Sequence, residues 1–300
     1  VRRSNSHIRI GTFQRLAYLD QKESIEKLVF HVVENYFPSL NNSNNINHLT
    51  EIFFLESVKR IATMIGRVTV AGFVHGVLNT DNFNVTGECF DYGPWRFIDF
   101  ADPYFTAAYF DYEKRYSFGR QPEAALWALR QLGNSLKHLL NEEKITETLN
   151  QFSNFFNSSL AKHFSWRLGI NDMEIKNINQ IMSILFKISK EHQIDFSSFF
   201  YDFYGGSEAI SDCLKSTNGK RYKTNEFKDI LNFLKETNSV DNFMENKIRL
   251  KNNYENLLID EVEAIWEQID KKNDWTFLET KIANIRKMGD NLGSKKLVNF

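Results

Sequence analysis

Apolar residues along this 300-residue chain recur mostly at three- and four-residue steps, the period that places them on one face of an α-helix. Ile25, Leu28, Val29, Val32, Val33 and Tyr36 form one such stripe, which must end before Pro38 because proline disfavours a helical residue in front of it. The stripe running from Ile52 through Phe53, Val58, Ile61 and Ile65 to Val68 is wider, so the helix expected over 49–69 should lie centrally, covered on more than one side. Between the two, the Asn-rich stretch 41–47 reads as an exposed loop, since Asn side chains bond nearby backbone and favour turns.

From Val70 to Pro103 the pattern breaks into short apolar runs separated by Gly, Asn and Asp, which predicts loops and short strands with a β-hairpin around 84–98. Gln121 and Pro122 open another helix, proline being tolerated in a first turn, with Leu126, Leu129, Leu132, Leu136 and Leu139 along one face. Past Asn141 the chain turns more polar but stays helical, with stripes over 149–160, 175–185 and 227–234. The basic run GKRYK at 219–223 reads as a solvated loop. The pattern gives a mainly α (α+β) class, divided into a core over 1–140 and a divergent helical extension over 141–300.

A hydrophobic content of 42% is enough for a sizeable core. Lys plus Arg number 37 against 38 Asp plus Glu, a net charge of -1, so no global field draws the chain to nucleic acid or an anionic membrane and neither is an expected partner. Any phosphate binding must therefore be local. Cys89 and Cys213 are the only cysteines, too few for a disulfide framework or a four-ligand zinc site, and read as idle buried thiols in a reducing compartment. No stretch approaches the roughly 20 apolar residues of a spanning helix, and the N-terminus lacks a signal-peptide core. These features read as those of an intracellular protein, with the cytoplasm the expected location, or the mitochondrion if the source is eukaryotic.

The chemistry concentrates in His75-Gly76-Val77-Leu78-Asn79-Thr80-Asp81-Asn82, followed by Asp91-Tyr92-Gly93. A kinase-type centre pairs a loop H-x-D-x-x-x-x-N with a later D-F-G segment, and the Asn and second Asp hold magnesium against nucleotide phosphates. His75 and Asn82 stand at that spacing, which makes Asn82 and Asp91 candidate ligands, both supplying the hard oxygens that such a cation needs. Val77 occupies the place of the usual catalytic Asp and has no proton-accepting group, so Asp81 becomes the candidate base. Residue by residue, the same Asn and Asp side chains are equally compatible with simple turn formation.

The block VHGVLNTDNFNVTGECFDYGPWRFIDFADP resembles the signature of the selenoprotein O family, whose string HGVMNTDN differs here only at Leu78. The following YFDYEKRYSFGRQPEAALWALRQL continues the likeness through Asp111, Arg115, Tyr116, Gln121, Pro122 and Trp127, departing at Ala108, Phe110, Lys114 and Arg120. The opening VRRSNSHIRIGTFQ resembles the family's TRVAxSHIRxGTF. The resemblance implies the helical C-lobe of a protein-kinase-like fold, with a short β-hairpin at the catalytic loop. It implies ATP as co-substrate, bound in flipped orientation with Mg2+ or Mn2+, and transfer of AMP to Ser, Thr or Tyr hydroxyls of proteins. It places Arg2 and Arg9 on two phosphate-contacting arginines, a role that the guanidinium fork suits, and Asp91 at the nucleotide-bound metal. Specific likeness covers roughly 1–20 and 70–130, and the chain is expected to be a fragment or truncated homologue without the family's upstream lobe and C-terminal tail. The alternatives are a kinase-like phosphotransferase and an inactive pseudoenzyme or helical interaction module.

Overall fold

The computed structural model describes residues 4–40, 43, 45–251 and 254–293. The chain divides into two compact units, Val1–Trp95 with Pro103–Leu160, and Arg96–Asp102 with Ala161–Phe300. Helix dominates both and the strands are short, as the mainly α expectation requires. Among the described residues no helix is long and apolar enough to cross a membrane.

The first unit holds α1 (Ile10–Tyr18), α2 (Lys22–Tyr36), α3 (Ile46–Ala71), α4 (Gln121–Ser135) and α5 (Glu142–Asn150). Helix α6 (Phe152–Leu168) begins in this unit and ends in the second. Helix α3 is buried on several sides through Phe53, Phe54, Val58, Ile61 and Ile65, and it packs against α2, α4 and α5. It is the central helix that its wide stripe predicted.

Its start lies earlier than the sequence pattern indicated. Asn45 Oδ1 accepts from the backbone of Asn47 (2.9 Å) and His48 (3.3 Å), so Ile46 and Asn47 are helical rather than loop. Asn41, Asn42 and Asn44 lie outside the described residues. Removing this cap leaves helix-terminal donors without a partner, so Asn45→Ala should lower stability by about 1 kcal/mol in a denaturant titration.

Helix α4 stops at Ser135, and Leu136 and Leu139 pack from the turn that follows. The stripe assigned to one helix over 149–160 is broken at Gln151, where α5 ends and α6 begins.

In the second unit come α7 (Ile175–Ile188), α8 (Phe196–Asp202), α9 (Ile210–Lys215), α10 (Phe227–Lys235), α11 (Phe243–Lys251), α12 (Ile259–Lys272) and α13 (Thr276–Asn291). Its core is aromatic: Phe203, Tyr222 and Phe227 meet with ring centroids 4.9–5.5 Å apart. The GKRYK run is therefore not simply a solvated loop. Lys220, Arg221 and Lys223 are exposed, but Tyr222 is buried and its hydroxyl donates to Asp202 Oδ2 at 2.6 Å. Both cysteines are buried, and burial, reinforced by nearby Asp202, pushes the Cys213 thiol up to about 12, which makes it inert at neutral pH.

Candidate active site

Helix α3 gives way at Gly72 to Phe73–Val74 and then to the loop that begins at His75. His75 is buried, and two backbone partners fix its ring: Nδ1 accepts from Val77 N–H at 3.3 Å, while Nε2 donates to the carbonyl of Asp91. The pair specifies the neutral tautomer protonated on Nε2. Gly76 takes φ +86°, and a β-carbon there would lie 3.1 Å from Pro94 and 3.2 Å from Ala107, so only glycine suits this position.

Further along, Asn79 forms a turn, its side chain accepting from Asp81 N–H at 3.0 Å and its carbonyl from Asn82 N–H at 3.1 Å. Turn formation thus accounts for Asn79. It does not account for Asn82, whose Nδ2 reaches back across the loop to the Val77 carbonyl at 2.7 Å. That bond commits the nitrogen, so Oδ1 is the atom of Asn82 that can serve as a metal ligand.

The chain then enters an antiparallel hairpin in which Phe83 pairs with Cys89 and Asn84 with Glu88. The ladder continues through Phe90 N–H to the Asn82 carbonyl (3.0 Å), which sets Asp91 beside the loop that runs from His75 to Asn82. The hairpin is tighter than the span 84–98 read from sequence, because the chain leaves it at Asp91-Tyr92-Gly93 and Pro94 has no N–H to extend a ladder. The Asp91 carboxyl group is exposed, with Oδ1 accepting from Gly93 N–H at 3.2 Å.

The segment before α1 runs along the same hairpin. Val85 N–H bonds the Ile8 carbonyl (3.0 Å), Arg9 bridges Asn84, and buried Asn84 donates from Nδ2 to the Ser6 carbonyl (2.6 Å). Glu88 accepts from Ser4 Oγ and from the backbone and side chain of Asn5, each at 3.2 Å. This clasp delivers Arg9 to the site. Its guanidinium lies 4.5 Å from the centroid of Phe90 and 3.6 Å from Asp81 Oδ1. The side chains are 36% and 60% exposed, so the ion pair itself stabilises the fold by at most about 1 kcal/mol. Where α1 begins, Gly11 N–H donates to the Thr80 carbonyl at 3.0 Å, and the Asp81 carboxylate rests directly on Gly11: a β-carbon there would fall 2.2 Å from Oδ1.

Of the residues singled out from sequence, the structure thus gathers Arg9, Asp81, Asn82 and the backbone of Asp91 around one end of the hairpin, while Arg2 lies outside the described residues. Among the described residues no group of three or more His, Cys, Asp and Glu side chains is gathered as a closed metal cage. One carboxylate and one carboxamide, completed by water and phosphate oxygens, is instead the kind of donor set that Mg2+ or Mn2+ takes beside a nucleotide. The residues therefore fit such an ion. Asp99 and Asp102 belong to the second unit, where the Asp99 carbonyl accepts from Phe196 N–H (2.8 Å) and burial, with Asp195 and Asp260, pushes the Asp99 carboxyl up.

Sequence reasoning did not single out Gly11, Glu88 and Gln121 as parts of this assembly. A groove of about 490 Å3 between α1 and α4, lined by Gln14, Arg15, Ala17, Tyr18, Gln131, Asn134 and Ser135, contains none of the candidate residues.

The model of one protein family, described as Protein adenylyltransferase SelO, matches residues 1–286. Among curated relatives, the protein nucleotidyltransferase YdiU of Trichormus variabilis is 38% identical over 202 residues, covering 67% of this chain and 41% of the relative. The protein of the same name from Synechocystis sp. is 43% identical over 171 residues, covering 57% and 36%. That of Trichodesmium erythraeum is 30% identical over 289 residues, covering 92% and 60%. The chain thus spans between 36% and 60% of the length of these relatives.

Proposed function

The chain belongs to the Protein adenylyltransferase SelO family, and from that premise we propose that it carries the catalytic centre of an enzyme transferring AMP from ATP to Ser, Thr or Tyr hydroxyls of proteins. The observation that carries this reading is the convergence of Arg9, Asp81 and Asn82 with the Asp91 segment at one end of a hairpin.

Asn82, through Oδ1, and Asp91, through its carboxylate, would hold Mg2+ or Mn2+, which would supply neutralisation of phosphate charge in the transition state. Arg9, with Arg2 as a second contact, holds the β- and γ-phosphates. Asp81 accepts the proton of the attacking hydroxyl. The hydroxyl oxygen bonds to the α-phosphorus, the bond to the oxygen bridging α and β breaks, and pyrophosphate leaves with its charge opposite the guanidinium. Val77 offers only its backbone carbonyl, to Asn82, so the proton acceptor of an orthodox kinase is missing at that position. The helical part of a kinase-like lobe and an intracellular setting, which suits both ATP supply and two free thiols, go with this reading.

Labelled ATP tests it. Label in the α-phosphate should stay on the acceptor protein, and label in the γ-phosphate should leave with pyrophosphate. Retained γ-label would make the protein a kinase-like phosphotransferase, and no calorimetric heat with ATP and Mg2+ would make it an inactive relative.

A further inference from the structure

The geometry points to Gln121 as a positioning residue that sets the candidate metal-binding Asp91 through His75. The inference rests on the reading of Asp91 and Asn82 as metal ligands.

Gln121 is the first residue of α4, and it is fully buried. Its side-chain amide spans two backbone groups of the segment leading into the catalytic loop: Oε1 accepts from His75 N–H at 3.0 Å, and Nε2 donates to the Phe73 carbonyl at 2.9 Å. A residue of a parallel neighbouring strand bonds its partner in the same way, taking the N–H on one side of a position and giving to the C=O on the other. Gln121 therefore stands in for a strand neighbour with one side chain, bonding two backbone groups of this segment at once.

The bond continues into the site. His75, held at its N–H by Gln121, uses its ring to grip the Asp91 carbonyl through Nε2 and the Val77 N–H through Nδ1, so one imidazole sets both the start of the catalytic loop and the backbone of Asp91. Phe73, the other residue that Gln121 holds, packs edge-on against Tyr92 (5.8 Å) and stacks on Trp95 (6.2 Å), bracing the segment on the far side of Asp91. Gln121 thus fixes residues that flank Asp91 from two directions while contributing no ligand itself. Groups that orient ligands in this way typically change metal affinity by 10- to 100-fold when removed.

The test is Mn2+ binding to the whole protein with a non-hydrolysable ATP analogue, followed by electron paramagnetic resonance and corrected for the folded fraction by circular dichroism. Gln121→Met removes both bonds at nearly constant volume. Leu129→Ala, in the core of the same helix, is the control for loss of packing alone. Gln121→Met is expected to weaken Mn2+ binding about 10- to 100-fold, with Leu129→Ala staying at the wild-type affinity per folded molecule. If Gln121→Met does not fold, Gln121→Leu, which likewise lacks both the acceptor for His75 N–H and the donor to the Phe73 carbonyl, decides in its place. Wild-type affinity in the Gln121 variants, or an equal loss in Leu129→Ala, overturns the positioning role while leaving the metal site intact. A wild-type protein that binds no Mn2+ overturns the metal site and this role together.

Discussion

Asp91→Ala is expected to leave the protein folded and to reduce AMP transfer by about 10^3-fold or more. The side chain is exposed and accepts from Gly93 N–H, so its loss should change stability by no more than about 0.5 kcal/mol, as for ordinary surface substitutions. Its proposed partner is the divalent ion. A bound metal supplies several kcal/mol of transition-state stabilisation, and each ~1.4 kcal/mol is a factor of ten in rate. Incorporation of α-phosphate label into protein, alongside a thermal melt, separates the two quantities. Wild-type labelling by the variant would remove Asp91 from the mechanism.

A second substitution reaches Asp81 without touching it. Gly11→Ala puts a methyl group where the Asp81 carboxylate lies, and a contact of 2.2 Å forces that carboxylate to swing away. The moving group is the end of a flexible side chain on a half-exposed ion pair, so the fold can absorb the change, and alanine is the better helix former. Stability should therefore shift by less than about 1 kcal/mol, while activity falls by about 100-fold, the cost of displacing a catalytic group by roughly an ångström. In the double variant Gly11→Ala, Asp81→Ala, the two losses should not add, because both act on one carboxylate. Full activity in Gly11→Ala would take Asp81 out of the role of base.

These two predictions differ in how far they could be read from sequence. Asp81, Asn82 and Asp91 become candidates through spacing within one short stretch together with the family resemblance, and Arg9 through its resemblance motif alone. The parts played by Gly11, Glu88 and Gln121 depend on contacts across many intervening residues, such as Gln121 to His75, 46 positions apart, and Glu88 to Asn5, 83 apart. No local pattern carries that information.

The helices divide along the same line. Helices α2, α3, α7 and α10 were legible because their apolar stripes are long and regular. Helix α1 gave no comparable signal: it is nine residues with Gly11 in its first turn, and just two of its side chains, Ile10 and Phe13, are fully buried. The break at Gln151 was missed because Leu149, Phe152 and Phe156 keep a helical step across it. Tyr222 was hidden by the charges on either side of it, since a charge run says nothing about the one ring that turns inward.

The stack of Arg9 on Phe90 bears on how the site can change occupants. The guanidinium carbon lies 4.5 Å from the ring centroid, and Nη1 lies 3.6 Å from Asp81 Oδ1. Contacts with both ring and carboxylate restrict the long side chain, so a phosphate that replaces the carboxylate would cost little further rotamer freedom. In the proposed reaction this exchange uncovers Asp81 as the nucleotide is seated, when an oxygen able to take a proton is needed.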